Sequence, residues 1–117
     1  MKVVIGPLGS GKTTELIKMA AEGFYYIVCS HHKEAMNIKQ MAKKMELDIP
    51  MPITHDEFIR GEFARGRNIK GFLIDNVDHL LGRLANGVEV KGVSFLIGEP
   101  KLLSPLNHLL SGNFSSD

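Results

Sequence analysis

The chain has 117 residues, 44% of them apolar and 23% charged, and its formal net charge is +1. That length suits one domain with a modest core. The near-neutral charge gives no sign of a wholesale nucleic-acid or membrane surface. A single cysteine, Cys29, excludes an internal disulfide and any multi-cysteine zinc site. No apolar leader precedes Gly6 and no run approaches membrane-spanning length, so a cytoplasmic protein without membrane contact is expected.

The first element is a short β-branched strand, Lys2 to Ile5. Gly6-Pro7-Leu8-Gly9-Ser10-Gly11-Lys12-Thr13 follows, with the spacing G-x-x-x-x-G-K-S/T of a phosphate-binding loop. Each position has a physical reason. Gly6, Gly9 and Gly11 let the backbone turn back and aim N–H groups at phosphate oxygens, where a Cβ would obstruct. Lys12 can reach the β- and γ-phosphates, and the Thr13 hydroxyl can ligate Mg²⁺. A helix is expected from Thr13 and Thr14 to Glu22, closed by Gly23, so that the loop feeds a helix N-terminus suited to an anion. ATP and Mg²⁺ are the cofactors this pattern takes, with residues 6–14 as the binding segment.

Phe24 to Cys29 is aromatic and β-branched and predicts a second strand. Between Lys33 and Glu46, Ala35, Ile38, Met41, Ala42 and Met45 recur at helical spacing. The methionines there are read as core filler. Pro50 to Thr54 is extended, and Thr54 with Glu57 makes a capping box for a brief helix over His55 to Arg60. Gly61 to Lys70 is a polar loop. Gly71-Phe72-Leu73-Ile74-Asp75 is a continuous apolar run ending in an acid, the pattern of a strand buried on both faces. A helix through Leu80, Leu81 and Leu84 stops at Asn86-Gly87. Val93 to Gly98 predicts another buried strand, and Leu102, Leu103, Leu106, Leu109 and Leu110 a final helix ended by Gly112. The alternation argues for a parallel sheet with helices on both faces. The expected organisation is a single domain over residues 1–112 and a loose tail at 113–117.

A phosphate-loop protein needs an aspartate at the end of a second buried strand to hold Mg²⁺, usually through water. Asp75 fits, and it could also cap the helix that follows. Ile74-Asp75-Asn76-Val77-Asp78 resembles the Asp-Glu-x-Asp motif of helicase-type ATPases. Ile97-Gly98-Glu99-Pro100-Lys101-Leu102-Leu103-Ser104-Pro105 resembles the Gly-Asp-Pro-x-Gln-Leu-x-Pro element of superfamily-one DNA helicases. Ser30 to Ala35 and Thr54 to Phe58 are similar to those enzymes' motifs that touch single-stranded nucleic acid. The resemblance spans residues 1–105 in the family's order. It implies a three-layer α/β, RecA-like P-loop NTPase domain with a mostly parallel sheet of about five strands. It also implies single-stranded nucleic acid as a candidate partner.

The departures bear on chemistry. The family's catalytic glutamate falls on Asn76, and its γ-phosphate-sensing glutamine on Leu102. An amide cannot act as a general base, and a leucine cannot donate to phosphate. The resemblance covers only the family's first domain, and no second helicase domain is expected in this chain. Lys12, Asp75 and Asn76 therefore stand as the catalytic positions of a slow or partner-activated ATP hydrolase. Two other functions compete: a non-catalytic, ATP-dependent adaptor, and a small nucleoside or nucleotide kinase. The kinase reading comes from Gly6 to Ile17, which resembles the opening of cellular-type thymidine kinases. Those also carry a cysteine-rich zinc lobe, for which this chain lacks the cysteines.

Weaker signals remain. His31 and His32 could touch nucleic acid or be simply solvated. Arg60, Arg65, Arg67 and Lys70 could meet phosphates or remain in a solvated loop. Asp78 and Glu99 are alternative bases. The resemblance to the helicase family implies that the Lys2 to Ile5 strand lies beside Val93 to Ile97 on one edge. Its other edge calls for the final helix, a protein partner or a second copy, which could bring Arg65 or Arg67 to a neighbour's γ-phosphate.

Overall fold

A computed structural model describes residues 4–5, 9, 11–63, 70–94 and 101–102. Among them the chain is α/β. The elements run β1 (Val4–Ile5), α1 (Lys12–Gly23), β2 (Tyr26–Cys29), α2 (His32–Lys44), β3 (Ile53–Thr54), α3 (His55–Arg60), β4 (Phe72–Ile74), α4 (Val77–Leu84) and β5 (Lys101–Leu102). They divide between two compact units, Met1–Glu15 with Ser94–Asp117, and Leu16–Val93. No helix among the described residues is long and apolar enough to cross a membrane.

In the first unit β1 pairs in parallel with β5, Val4 opposite Lys101 and Ile5 opposite Leu102. The family resemblance implies a partner at Val93 to Ile97 instead. Val93 and Ser94 carry no strand, and residues 95–100 lie outside the described residues. Leu102, read from the sequence as the opening of the last helix, is a strand residue. Apolar spacing over so few residues cannot separate the two states. The rest of that helix and the tail at 113–117 lie outside the described residues.

The second unit is built on a three-stranded parallel sheet of order β3-β2-β4. Val28 stands opposite both Ile53 and Ile74, and Tyr26 opposite Phe72. The central strand is buried along its whole length, as a parallel strand paired on both sides should be. Side chains alternate across it. Tyr26 and Val28 join Ile53, with Phe58, Phe63 and Ile74 packed against them. Ile27 and Cys29 point to the opposite face, each with no exposed surface. Helices α2 and α3 both pack on β2 and β3. Ala35, Ile38 and Ala42 form the buried stripe of α2 and Leu16, Ile17 and Ala20 that of α1. Each fully buried isoleucine contributes on the order of 1.5–3 kcal/mol.

Strand β4 departs from the expectation of full burial. Phe72 is 39% exposed, and Leu73 and Ile74 are half-buried. Among the described residues β4 is paired on one side only. Phe72 takes its packing from aromatic neighbours instead, its ring 4.9 Å from Phe58, 5.1 Å from Phe63 and 6.1 Å from Tyr26.

Helices α1 to α4 all end in one way. A left-handed residue follows the last turn, at Phe24 (φ 55°), Glu46 (59°), Gly61 (70°) and Asn86 (55°). The next N–H then bonds back five residues, Tyr25 to Ala20, Leu47 to Ala42, Glu62 to Glu57 and Gly87 to Gly82. This is the Schellman arrangement, which satisfies carbonyls the last turn leaves open. Only one of the four left-handed residues is glycine. Gly23, expected to close α1, is its last helical residue. Its lack of a side chain serves packing, because an added Cβ would lie 2.2 Å from the Tyr25 ring. The turn takes Phe24 out of the second strand, which starts at Tyr26.

Candidate functional site

The loop residues come first. Gly9 and Gly11 have φ of 81° and 91°, values that L side chains rarely adopt. An added Cβ at either would meet nothing within 4 Å, so the glycines are needed for backbone conformation and leave open space beside the loop. Helix α1 starts directly at Lys12, and its first described bond runs from the Glu15 N–H to the Gly11 carbonyl at 3.0 Å. Lys12, Thr13 and Thr14 are half-buried in the first turn. The first N–H groups of a helix point outward along its axis, and the helix dipole favours an anion there. Gly6, Pro7, Leu8 and Ser10 lie outside the described residues.

In the second unit, the carboxyl ends of the three parallel strands carry Ser30, His55 and Asp75 as the next residues. Ligands of open α/β sheets bind at that end. Asp75 continues the ladder, its N–H donating to the Val28 carbonyl at 2.8 Å, and it is 7% exposed. Asn76 is the N-cap of α4 in a left-handed conformation, φ 54° and ψ 59°, and its side chain makes no capping bond. Its carbonyl takes the first helical bonds, from the His79 N–H at 2.9 Å and the Leu80 N–H at 3.3 Å. Asn76, not Asp75, thus holds the N-cap position of α4, and it does so without a side-chain cap. Asp78 is exposed in the first turn of α4.

Histidines occupy the same end. His55 is 1% exposed; its Nε2 lies 2.9 Å from the Asp75 carbonyl oxygen and its Nδ1 3.0 Å from Nδ1 of His79. Sequence reasoning places His55 beside the Thr54 cap but has no signal for its pairing with a residue 24 positions later. His31 acts structurally, since its Nδ1 accepts the Glu34 N–H at 3.3 Å and caps α2. His32 is exposed.

Cys29 is fully buried and donates weakly to the Ile53 carbonyl at 3.5 Å. Its thiol is pushed up to about 12, first by burial and then by the negative charges of Glu34, Asp75 and Glu57. That keeps it protonated and unreactive. Arg60 pairs with Glu62 on the surface, and Lys70 is exposed. Arg65, Arg67 and Glu99 lie outside the described residues. Among the described residues no group of three or more His, Cys, Asp or Glu could hold a metal ion on its own.

Comparison with protein-family models, curated proteins and solved structures gives no match for this chain.

Proposed function

We propose that this chain is an ATP-binding phosphate-loop protein of RecA-like, three-layer type, with a mostly parallel sheet of about five strands. Hydrolysis is slow or switched on by a partner, and the protein works in nucleic-acid metabolism. One observation carries the nucleotide reading. Within the spacing G-x-x-x-x-G-K-T, Gly9 and Gly11 both adopt positive φ and lead straight into a helix that opens at Lys12. Such a loop turns successive N–H groups toward one point, where phosphate oxygens are received.

The residues fit the group. Lys12 supplies a charge-assisted bond to the phosphates and Thr13 a hydroxyl for Mg²⁺. Asp75, buried where β4 ends, carries a carboxylate of the kind that phosphate-loop proteins use for Mg²⁺, directly or through water. Bound Mg²⁺ would neutralise charge on the β- and γ-phosphates. Asn76 can orient a water by its amide but cannot take its proton. Positioning survives in this chain while general-base help does not.

The same residue favours a second reading, a non-catalytic adaptor in which ATP binding orders a surface for another protein. ATP turnover by the purified chain, alone and with single-stranded DNA, separates the two. Under the hydrolase reading, turnover is slow alone, rises with the partner nucleic acid, and rises in Asn76→Glu. No turnover in any of the three leaves the adaptor. Brisk turnover of the unmodified chain alone contradicts the role given to Asn76 and directs mutation to Asp78 and Glu99.

A further inference from the structure

His55 and His79 share one hydrogen, and its position fixes what His79 offers to solvent. His55 is 1% exposed, and its Nε2 lies 2.9 Å from the Asp75 carbonyl oxygen. A carbonyl can only accept, so Nε2 carries a hydrogen and donates. The Nδ1 of His55 lies 3.0 Å from Nδ1 of His79. A buried imidazolium is costly with only a carbonyl and another imidazole as partners, so His55 is the neutral ring. A neutral ring has one hydrogen, already on Nε2, which leaves its Nδ1 as an acceptor. His79 Nδ1 is therefore the donor. With centroids 5.2 Å apart, the rings meet through these nitrogens rather than by stacking.

The consequence lies on the far side of the His79 ring. With its hydrogen on Nδ1, neutral His79 keeps an in-plane lone pair on Nε2. His79 is exposed in the first turn of α4 and turns its other nitrogen toward the buried ring. Among the described residues Nε2 has no bonding partner. Positive groups flank it. Arg83 stands four residues on, on the same helix face, and its Nη2 donates to Asp56 Oδ1 while the guanidinium keeps further donors. Asn76 gives α4 no side-chain cap, whereas His31 and Thr54 cap α2 and α3, so no N-cap side chain covers the positive end of α4. Asp78, the acid of that turn, stands about 100° round the helix from His79. A neutral nucleophile beside a guanidinium and a helix N-terminus suits an electrophile that itself carries negative charge.

We propose that His79 Nε2 is a phosphoryl-acceptor site, with His55 as the positioning residue that holds its tautomer and Arg83 as the phosphate contact. The residues all belong to the unit Leu16–Val93, and the proposal does not depend on the phosphate-loop reading. The donor is a small phosphorylated compound with a ready leaving group, of which phosphoramidate is the simplest. The Nε2 lone pair forms the new N–P bond as the donor's own P–N bond breaks, its electron pair departing with ammonia. The Nδ1 hydrogen stays on the ring, held by His55, so the step needs no base. The product is an imidazolium bearing the phosphoryl group.

The test is incubation of the full chain with phosphoramidate, following each histidine by peptide mass mapping and the ring isomer by phosphorus NMR. His32, exposed at the start of α2, is the internal reference. In the unmodified chain His79 is expected to gain the group at least about fivefold faster than His32, and on Nε2. His55→Leu keeps the bulk and removes the acceptor. It is expected to bring His79 within about twofold of His32 and to spread the label over both ring nitrogens. Arg83→Gln is expected to slow the gain several-fold with the isomer unchanged. In the unmodified chain, a His79 no faster than His32, or labelled on Nδ1, overturns the proposal. So does a folded His55→Leu with rate and isomer unchanged, or an undiminished rate in Arg83→Gln. Where His55→Leu fails to fold by circular dichroism, the unmodified chain and Arg83→Gln decide.

Discussion

Thr54 and Glu57 close a reciprocal box at the start of α3: the Glu57 N–H donates to Thr54 Oγ1 at 3.1 Å, and the Thr54 N–H donates to Glu57 Oε1 at 2.9 Å. The box joins strand to helix without a loop, because Thr54 is both the last residue of β3 and the N-cap of α3. It also fixes where the next residue, His55, enters the interior.

Removing one half of that box leaves a backbone N–H without its bond. Thr54→Ala is expected to lower unfolding stability by about 1 kcal/mol, with Glu57→Ala losing less. The double variant should fall short of the sum, since both substitutions open one coupled pair. Urea denaturation of the three variants reads this directly. Full additivity would mean that the two bonds act independently.

The left-handed residue after α2 offers a gain. Glu46 is exposed at φ 59°, where glycine has no Cβ penalty. Glu46→Gly is expected to stabilise the chain by about 1 kcal/mol, or several degrees in Tm for a protein of this size. Gly61→Ala, at φ 70°, should move Tm the other way by a similar amount. A fall in Tm for Glu46→Gly would contradict the left-handed assignment.

These helix ends show where the sequence is readable and where it is not. The Thr54-x-x-Glu57 spacing announces its capping box because both partners are local and chemically distinctive. The stripe Ala35, Ile38, Ala42 likewise announces the core face of α2, and the strand at Tyr26 to Cys29 is buried as its apolar run implies. Glu46 and Phe24 give no such notice as left-handed caps, since nothing in their chemistry favours that conformation over a helical one. Leu102 reads as helix because its leucine spacing outweighs a two-residue pairing with β1 that only the fold reveals. The site divides in the same way. Gly9, Gly11 and Lys12 are legible as a motif, and Asp75 as the acid ending an apolar run. The His55–His79 contact joins residues far apart in the chain and follows from packing alone.

Cys29 gives a pH-dependent outcome. Its thiol stands at about 12 in the fold against an ordinary 9.0, so the folded state retains a proton that the unfolded chain releases. Stability from this group is therefore complete below pH 9 and lost as pH rises toward 12. The slope in that window approaches about 1.4 kcal/mol per pH unit. Urea denaturation between pH 8 and 10.5 should show a steeper decline in the unmodified chain than in Cys29→Ala. Identical slopes would place the thiol in water. At pH 8 a thiol reagent is expected to label the denatured chain rapidly and the native chain only as it opens.

The loop glycines separate conformation from contact. Gly11→Ala meets no neighbour within 4 Å, so its whole effect comes from forcing a Cβ onto φ 91°. A strain of about 1–2 kcal/mol is expected at the mouth of α1, lowering ATP affinity roughly tenfold while α1 still forms. Unchanged affinity with unchanged circular dichroism would mean that the loop does not need this conformation to bind.

The most direct measurement is ATP binding with Mg²⁺ by calorimetry, unmodified chain against Lys12→Ala. Lys12 opens α1 from its half-buried position, and its ammonium is the one charge-assisted contact to the β- and γ-phosphates that the motif specifies. Removing it from a desolvated phosphate site costs on the order of a few kcal/mol, at least a hundredfold in affinity. The expected result is saturable binding by the unmodified chain, none detectable in Lys12→Ala, and superimposable circular dichroism spectra. Equal affinity in the two folded chains, or no binding by the unmodified one, contradicts the nucleotide site.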